Sequence, residues 1–398
     1  MYHPIRSCRA CGSSDLFRVF DLGIQPLAND FRLPGEERAG YAPLEVLHCR
    51  KCTLAQLSVV VRPEILYKDY PYVTSKSGTM KAHFQALSEL FLLEAPQARS
   101  VLEIGSNDGD FLKHLKGGGF SRVGGIDPAK NLTDAASESG IPTICGILDS
   151  VSANIAVNHG GPYDIVVARH VFCHVESWKE FMANLDLVTH GDSMVFIEVP
   201  YLLDMLEKLE FDTIYHEHTS YLSIRAAIAL LNDTPFRLHR VVRFPIHGGA
   251  IGLIIRKRVP LALDSSITEM LANEGDMEQR WEDFRSGSQR LMRGLKAAVA
   301  GFDGVICGFG ASAKSTVWLN ACGFTKDDIR FMCDCTPQKI GRLSPGTDIE
   351  VSGEDRISEA NGAVLFAWNY RSEILHRFEW WRKNGGQFII PVPSTEIV

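Results

Sequence analysis

The stretch that most constrains this chain is Val101-Leu102-Glu103-Ile104-Gly105-Ser106-Asn107-Asp108-Gly109. The apolar run Ser100 to Ile104 predicts a buried strand, and Gly-x-x-x-Gly ends it in a turn. Phe111-Leu112-Lys113-His114-Leu115 then opens a helix, and a second apolar strand, Val123 to Ile126, runs into Asp127. Strand, glycine turn, helix, strand and acid form the order of a nucleotide-binding α/β unit. Glycines let a ligand approach the backbone, and the acid accepts hydrogen bonds from ribose hydroxyls.

The spacing departs from the dinucleotide pattern Gly-x-Gly-x-x-Gly. With Glu103 two residues ahead of the first glycine, it resembles the first motif of S-adenosylmethionine (SAM) methyltransferases. That makes Glu103, Gly105, Ser106, Asn107, Asp108, Gly109 and Asp127 the candidate cofactor-binding residues. A helix over 79–95 precedes the motif. Strands near 101–104, 123–126, 142–145, 164–168 and 194–198 alternate with helices such as 150–158 and 177–187. Alternation of this kind predicts a parallel, doubly wound sheet with its ligand at the carboxyl ends of the strands. Residues 238–256 read as a hairpin around His247-Gly248-Gly249, and 264–300 as helix. A second unit of the same order starts at Gly304: strand Val305–Cys307, turn Gly308-Phe309-Gly310-Ala311-Ser312-Ala313-Lys314, helix, strand Arg330–Cys333, then Asp334. The chain therefore contains two Rossmann-like halves. The second either binds a nucleotide or keeps the shape without the ligand.

Ahead of both lies a small module, residues 1 to about 70. Four of the ten cysteines fall there, as Cys8-x-x-Cys11 and Cys49-x-x-Cys52. Each turn presents two thiolates, and four thiolates suit tetrahedral Zn2+. Four protein ligands leave no open position, so the zinc role is structural. The net charge of −7 and the lack of a basic block argue against a nucleic-acid partner. No apolar run is long enough to span a bilayer, and the N-terminus lacks the apolar core of a signal peptide. A cytoplasmic enzyme with no membrane partner is expected.

Phe211-Asp212-Thr213-Ile214-Tyr215-His216-Glu217-His218-Thr219-Ser220-Tyr221 sets four ionisable side chains in a row. An extended chain would face Tyr215, Glu217 and Tyr221 one way and the histidines the other, whereas a helical turn puts Tyr215 and His218 together. His-x-His is also a possible metal pair or a structural cluster, but no third ligand is evident. A catalytic reading fits better. Moving a methyl from a sulfonium to carbon needs a carbanion or enolate, hence a base and a group to hold the enolate oxygen. Histidine suits the first task. His174, in Arg169-His170-Val171-Phe172-Cys173-His174, follows the fourth strand and is the second candidate.

The residues match a family: the chain resembles SAM-dependent nucleotide-sugar C-methyltransferases of deoxysugar biosynthesis. Cys8-x-x-Cys11 and Cys49-x-x-Cys52, Pro26-Leu27-Ala28-Asn29, Gly105 to Gly109, Tyr215-His216-Glu217-His218 and Gly308 to Lys314 occur in the family's order. The resemblance implies a zinc-binding module (1–70), a methyltransferase domain (71–235) and a C-terminal Rossmann-like substrate domain (236–398). It implies SAM and Zn2+ as cofactors and a nucleotide-diphosphate 4-keto sugar as substrate, methylated at C3 through an enolate. It assigns His218 as base, with Glu217 and Tyr215 in support, His174 near the C4 oxygen, and Tyr72 (less readily Tyr70) as a further active-site residue. Lys314, Asn320, His247 and Arg371 are candidates for nucleotide contacts. Phe172 and Cys173 are bulkier than expected beside a small sugar. A monomer is expected. Rival readings are O- or N-methylation of a small natural product, a nucleotide-sugar-binding module, and a nicotinamide-dependent reductase using Gly308 to Lys314.

Overall fold

The computed structural model describes residues 1–66, 78–246, 248–258 and 263–398. Tyr70, Tyr72 and His247, named above, lie outside the described residues. The apolar run before the glycine turn becomes strand β1, Ser100–Ile104, buried along its whole length. After it come β2 (Arg122–Asp127), β3 (Thr143–Cys145), β4 (Tyr163–Arg169) and β5 (Thr189–Pro200). All five run parallel, with β2 and β4 on either side of β1. Burial on both faces is what a parallel sheet demands, and it explains the unbroken apolar runs in the sequence. The hairpin β6 (Arg237–Phe244) and β7 (Ala250–Arg256) lies beyond the expected boundary at 235, yet it forms the antiparallel edge of this sheet. The full order is β6-β7-β5-β4-β1-β2-β3.

The helices between strands cover the sheet through apolar stripes. On Gly78–Glu94, the buried residues Met80, Phe84, Leu87 and Phe91 repeat at three and four, the spacing of one helix face. Asp149 closes a capping box with Ser152 at the start of Ser150–Asn158, and Ser177 caps Trp178–Val188. The helix expected over 264–300 is two helices, Ser265–Glu274 and Met277–Ala300. Gly275 at φ +56° breaks the run, and the Asp276 carboxylate restarts it by accepting from Glu278 N at 3.0 Å and Gln279 N at 3.2 Å.

The N-terminal module is a small antiparallel sheet of Leu16–Pro26, Tyr41–Cys49 and Ala55–Leu57. Its fourth strand comes from far along the chain: Ser220–Tyr221 pairs with Ala55 and Gln56. The C-terminal unit is a six-stranded sheet centred on Ile306–Phe309, parallel except for its last strand, Glu396–Ile397. One core ties the two together. Phe20 of the module, Trp281, Phe284 and Leu295 of the long helix, and Trp318 of the C-terminal unit share it. Among the described residues no helix is long and apolar enough to cross a membrane.

Candidate active site

The four module cysteines meet. Their sulfurs all lie within 4.8 Å of one another, with Cys8 to Cys52 at 3.4 Å and Cys11 to Cys49 at 3.7 Å. Zinc–sulfur bonds of about 2.3 Å in a tetrahedron put sulfurs about 3.8 Å apart, so the donor set fits Zn2+. Each knuckle closes on its own backbone: Gly12 N donates to Cys8 O and Thr53 N to Cys49 O, both at 2.8 Å.

The first glycine turn stands at the carboxyl end of β1. Gly105 (φ +70°) and Gly109 (φ +76°) take the left-handed conformation that favours glycine, and a side chain on Gly105 would run into Val171. Asn107 N donates to one oxygen of Asp127 and Ala129 N to the other, both at 2.9 Å. Asp127 thus holds the turn to the end of β2, and burial raises its pKa. Gly109 caps the next helix, Asp110–Gly117, and has no side chain to offer, while the Asp108 carboxylate accepts from Asp110 N at a long 3.4 Å. A helix start held this loosely beside a glycine turn can turn its N–H groups to a polar ligand. The Ser106 hydroxyl is buried and makes no hydrogen bond among the described residues. Glu103 is placed differently from its neighbours. It is fully buried, and one of its oxygens takes both Arg169 Nε (2.9 Å) and Nη2 (2.6 Å). Burial pushes its carboxyl up to about 7 against the pull of Arg169.

Between a short 3-10 helix, Phe211–Thr213, and the strand Ser220–Tyr221, residues 215–218 fold as a turn, with His218 N donating to Tyr215 O at 2.9 Å. Tyr215 and His218 share a face, their ring centroids 3.9 Å apart. His218 Nδ1 lies 2.9 Å from the Thr213 carbonyl, which only accepts, so Nδ1 carries the proton and Nε2 the lone pair. That lone pair faces the Tyr215 hydroxyl at 2.6 Å. Burial, then the neighbouring His174, hold the His218 pKa well below the ordinary histidine value, so the ring is neutral at pH 7. The His174 ring stands edge-on to it, centroids 5.1 Å apart, and burial pushes its pKa down to about 4. Glu217 is buried, accepts from Asn29 Nδ2 at 2.8 Å, and has its other oxygen without a hydrogen bond among the described residues. His216 points the opposite way, to Ala42 O at 3.3 Å. The sequence pair His216 and His218 is therefore split between two surfaces. Cys173, His174 and His218 do bring one sulfur and two nitrogens within 4.8 Å. Burial raises the pKa of the Cys173 thiol. Phe172 stacks on Trp178, centroids 4.8 Å apart, buried in the core.

A further group was not singled out from the sequence. Glu198, at the end of β5 and fully buried, lies 2.8 Å from both His83 Nε2 and His170 Nε2. Burial opposes its charge, but the two imidazoles hold its pKa below the usual carboxylate range. His170 stands at φ +53° just after β4, close enough to lower the pKa of His174. The signal available in the sequence was an acid inside the apolar run Phe196-Ile197-Glu198-Val199. Of the residues expected to meet the nucleotide, three are engaged within the protein. Lys314 Nζ donates to Thr213 Oγ1 at 2.6 Å and pairs with Asp212. Asn320 Nδ2 donates to the Thr316 and Pro345 carbonyls, and Arg371 pairs with Glu396.

Comparison with known proteins follows this geometry along the whole chain. Three family models match in series: a zinc binding domain over residues 8–67, a methyltransferase domain over 79–241 and a C-methyltransferase C-terminal domain over 245–393. The C-methyltransferase NovU of Streptomyces niveus is 34% identical over 417 residues, covering 99% of this chain and 97% of its own. Solved structures overlap in part. The PH0226 protein of Pyrococcus horikoshii is 13% identical, with TM-score 0.38, over 48% of this chain and 98% of that one. A Burkholderia thailandensis 1,6-didemethyltoxoflavin N1-methyltransferase is 14% identical, with TM-score 0.34, over 45% of this chain and 79% of that one. With its four-cysteine site, its glycine turn in a methyltransferase domain and a near full-length C-methyltransferase relative, the chain belongs to the SAM-dependent C-methyltransferase family.

Proposed function

We propose that the chain methylates C3 of a nucleotide-linked 4-keto deoxysugar. SAM supplies the methyl group. His218 Nε2 takes the C3 proton, which the adjacent ketone acidifies, and the electron pair of the C–H bond moves into an enolate with charge on the C4 oxygen. Tyr215, whose hydroxyl gives up Nε2 when the substrate enters, turns its O–H to the sugar. His174, neutral at pH 7, donates its N–H to the C4 oxygen. Glu217 holds a sugar hydroxyl through the oxygen that Asn29 leaves free. Tyr72 is a further active-site residue in this reading. Glu103, Gly105, Ser106, Asn107, Asp108, Gly109 and Asp127 bind SAM, with Glu103 acting from beneath the turn. Cys8, Cys11, Cys49 and Cys52 hold zinc.

The observation that supports this reading best is the neutral His218 with a fixed tautomer: Nδ1–H on Thr213 O and a lone pair at Nε2. A base for carbon acids needs that state at neutral pH. The test is proton exchange without methyl transfer. The enzyme is incubated in D2O with thymidine, guanosine or cytidine diphosphate 4-keto-6-deoxy sugars, and the C3 proton is followed by NMR. Washout with one carrier, lost in His218→Ala while SAM still binds, is the expected result. Full turnover by His218→Ala removes His218 as base, and no reaction with any keto sugar removes the substrate class. Because the His218 pKa is lowered, kcat/KM should stay level as pH falls through 6.5. A decline centred there would mean an ordinary histidine is titrating.

A further inference from the structure

Arg9 sits between two zinc ligands, in Cys8-Arg9-Ala10-Cys11, and its side chain leaves the module. Its Nη1 donates to Val175 O at 3.0 Å and to Thr219 Oγ1 at 2.8 Å. These are the residues immediately after His174 and His218. The Thr219 hydroxyl passes the link on to Cys173 O at 2.8 Å, and Thr219 N donates to the same carbonyl at 2.9 Å. One guanidinium nitrogen therefore spans the two loops that carry the histidine pair. Its own backbone is fixed from both sides. The knuckle holds it through Cys8 and Cys11, and Arg9 N donates to the fully buried Gln56 Oε1 at 2.9 Å. The next residue of that strand, Leu57, donates from N to Thr219 O at 3.0 Å.

We propose that Arg9 is a positioning residue that transmits the geometry of the zinc knuckle to the spacing of His174 and His218. The metal is then more than a staple for a small sheet: it sets the root of the side chain that spaces a catalytic pair. This rests on the roles proposed for His174 and His218, but the spacing is measurable without them. Nη1 alone carries both bonds; Nε and Nη2 are buried and make no hydrogen bond among the described residues.

The test uses the full-length, zinc-loaded protein. Arg9→Met keeps the apolar stem and removes the Nη1 link. The readouts are zinc per chain, SAM affinity, the imidazole resonances of His174 and His218, and kcat and KM with thymidine diphosphate 4-keto-6-deoxyglucose. Zinc content and SAM affinity should match the wild type, both resonances should shift, and kcat should fall about a hundredfold with KM little changed, the cost of a misplaced reacting group. Thr219→Val should lose less, and the double variant no more than Arg9→Met alone, because both act through one link. In Arg9→Ala, millimolar guanidinium should restore part of kcat. Wild-type resonances in Arg9→Met overturn the proposal, as does loss of zinc together with activity, which would confine Arg9 to the fold of the knuckle. A His218→Gln variant that still turns over removes the base assignment, while the Arg9→Met resonances continue to decide the spacing.

Discussion

In the central unit the helix after the glycine turn starts at Asp110 under Gly109, and the Asp108 carboxylate reaches Asp110 N at 3.4 Å without closing a capping box. In the C-terminal unit the corresponding helix, Ala313–Cys322, starts under a closed capping box of Ser312 and Ser315. The acids after the second strands behave alike. Asp127 accepts from Asn107 N and Ala129 N, and Asp334 accepts from Ala311 N at 2.7 Å and Thr336 N at 2.8 Å. What differs is the space in front. Lys339 is buried at the second turn, with Nζ on the Ala311 carbonyl at 2.7 Å and over the Phe31 ring. The same strand–turn–helix–strand–acid order therefore leaves a buried hydroxyl, Ser106, without a hydrogen bond among the described residues at one turn, and seats a buried lysine at the other. At the second turn the Ala311 carbonyl is already taken by Lys339, and both Asp334 oxygens by backbone N–H groups.

The comparison breaks most visibly at the two acids. Asp127→Ala should weaken SAM binding by two orders of magnitude or more in calorimetry, whereas Asp334→Ala should leave it within about twofold and cost about 1–3 kcal/mol of stability, the price of an unpaired buried N–H. Equal losses of SAM affinity would mean that both turns serve one site. The glycines come next. Gly105→Ala forces a side chain at φ +70° into Val171, so SAM affinity should fall at least about tenfold. Gly310→Ala, at φ +92° with Ala367 Cβ 2.8 Å away, should lower the melting temperature and spare SAM binding. Ser312→Ala opens the box and should cost about 1 kcal/mol, a melting shift of roughly 2 °C, again with SAM affinity unchanged.

The smallest effect is one of pH. Asp164 clamps the start of β1 through Arg99 N, Ser100 N and Ser100 Oγ, all on one oxygen. Against burial, these bonds and His190 bring its pKa down to about 2. The matching clamp in the C-terminal unit is uncharged: Asn361 Oδ1 accepts from Val305 N at 2.9 Å. A carboxyl with a lowered pKa stabilises the fold above its ordinary value near 4 and loses that contribution as pH falls through about 2. The protection of the Ser100 amide, relative to its intrinsic exchange rate, should fall over that range while that of Val305 holds, and Asp164→Asn should remove the difference.

Much of this was legible in the sequence because it is local. The cysteine pairs, both glycine turns and the Tyr215–His218 turn depend on spacings of a few residues, and periodicity located the strands of the parallel sheet. The cluster of His83, Glu198 and His170 depends on a helix and two strands meeting, and only an acid within the apolar β5 run hinted at it. Asn29 on Glu217 and Arg9 on Thr219 join residues about two hundred positions apart. Spacing carries no information at that distance. The break at Gly275 was missed because the apolar positions on both sides kept a helical period, while the glycine and the capping Asp276 outweighed it.

The strand Ser220–Tyr221, paired with Ala55 and Gln56, also has a consequence during synthesis. The N-terminal sheet leaves the ribosome with Ala55–Leu57 as a bare edge, and its last strand is made only when about 160 more residues have been added. At bacterial or eukaryotic elongation rates this takes roughly ten to thirty seconds. Over that interval the edge can template pairing with another chain, so the order of translation leaves the zinc module half-finished until the segment after His218 arrives to close it.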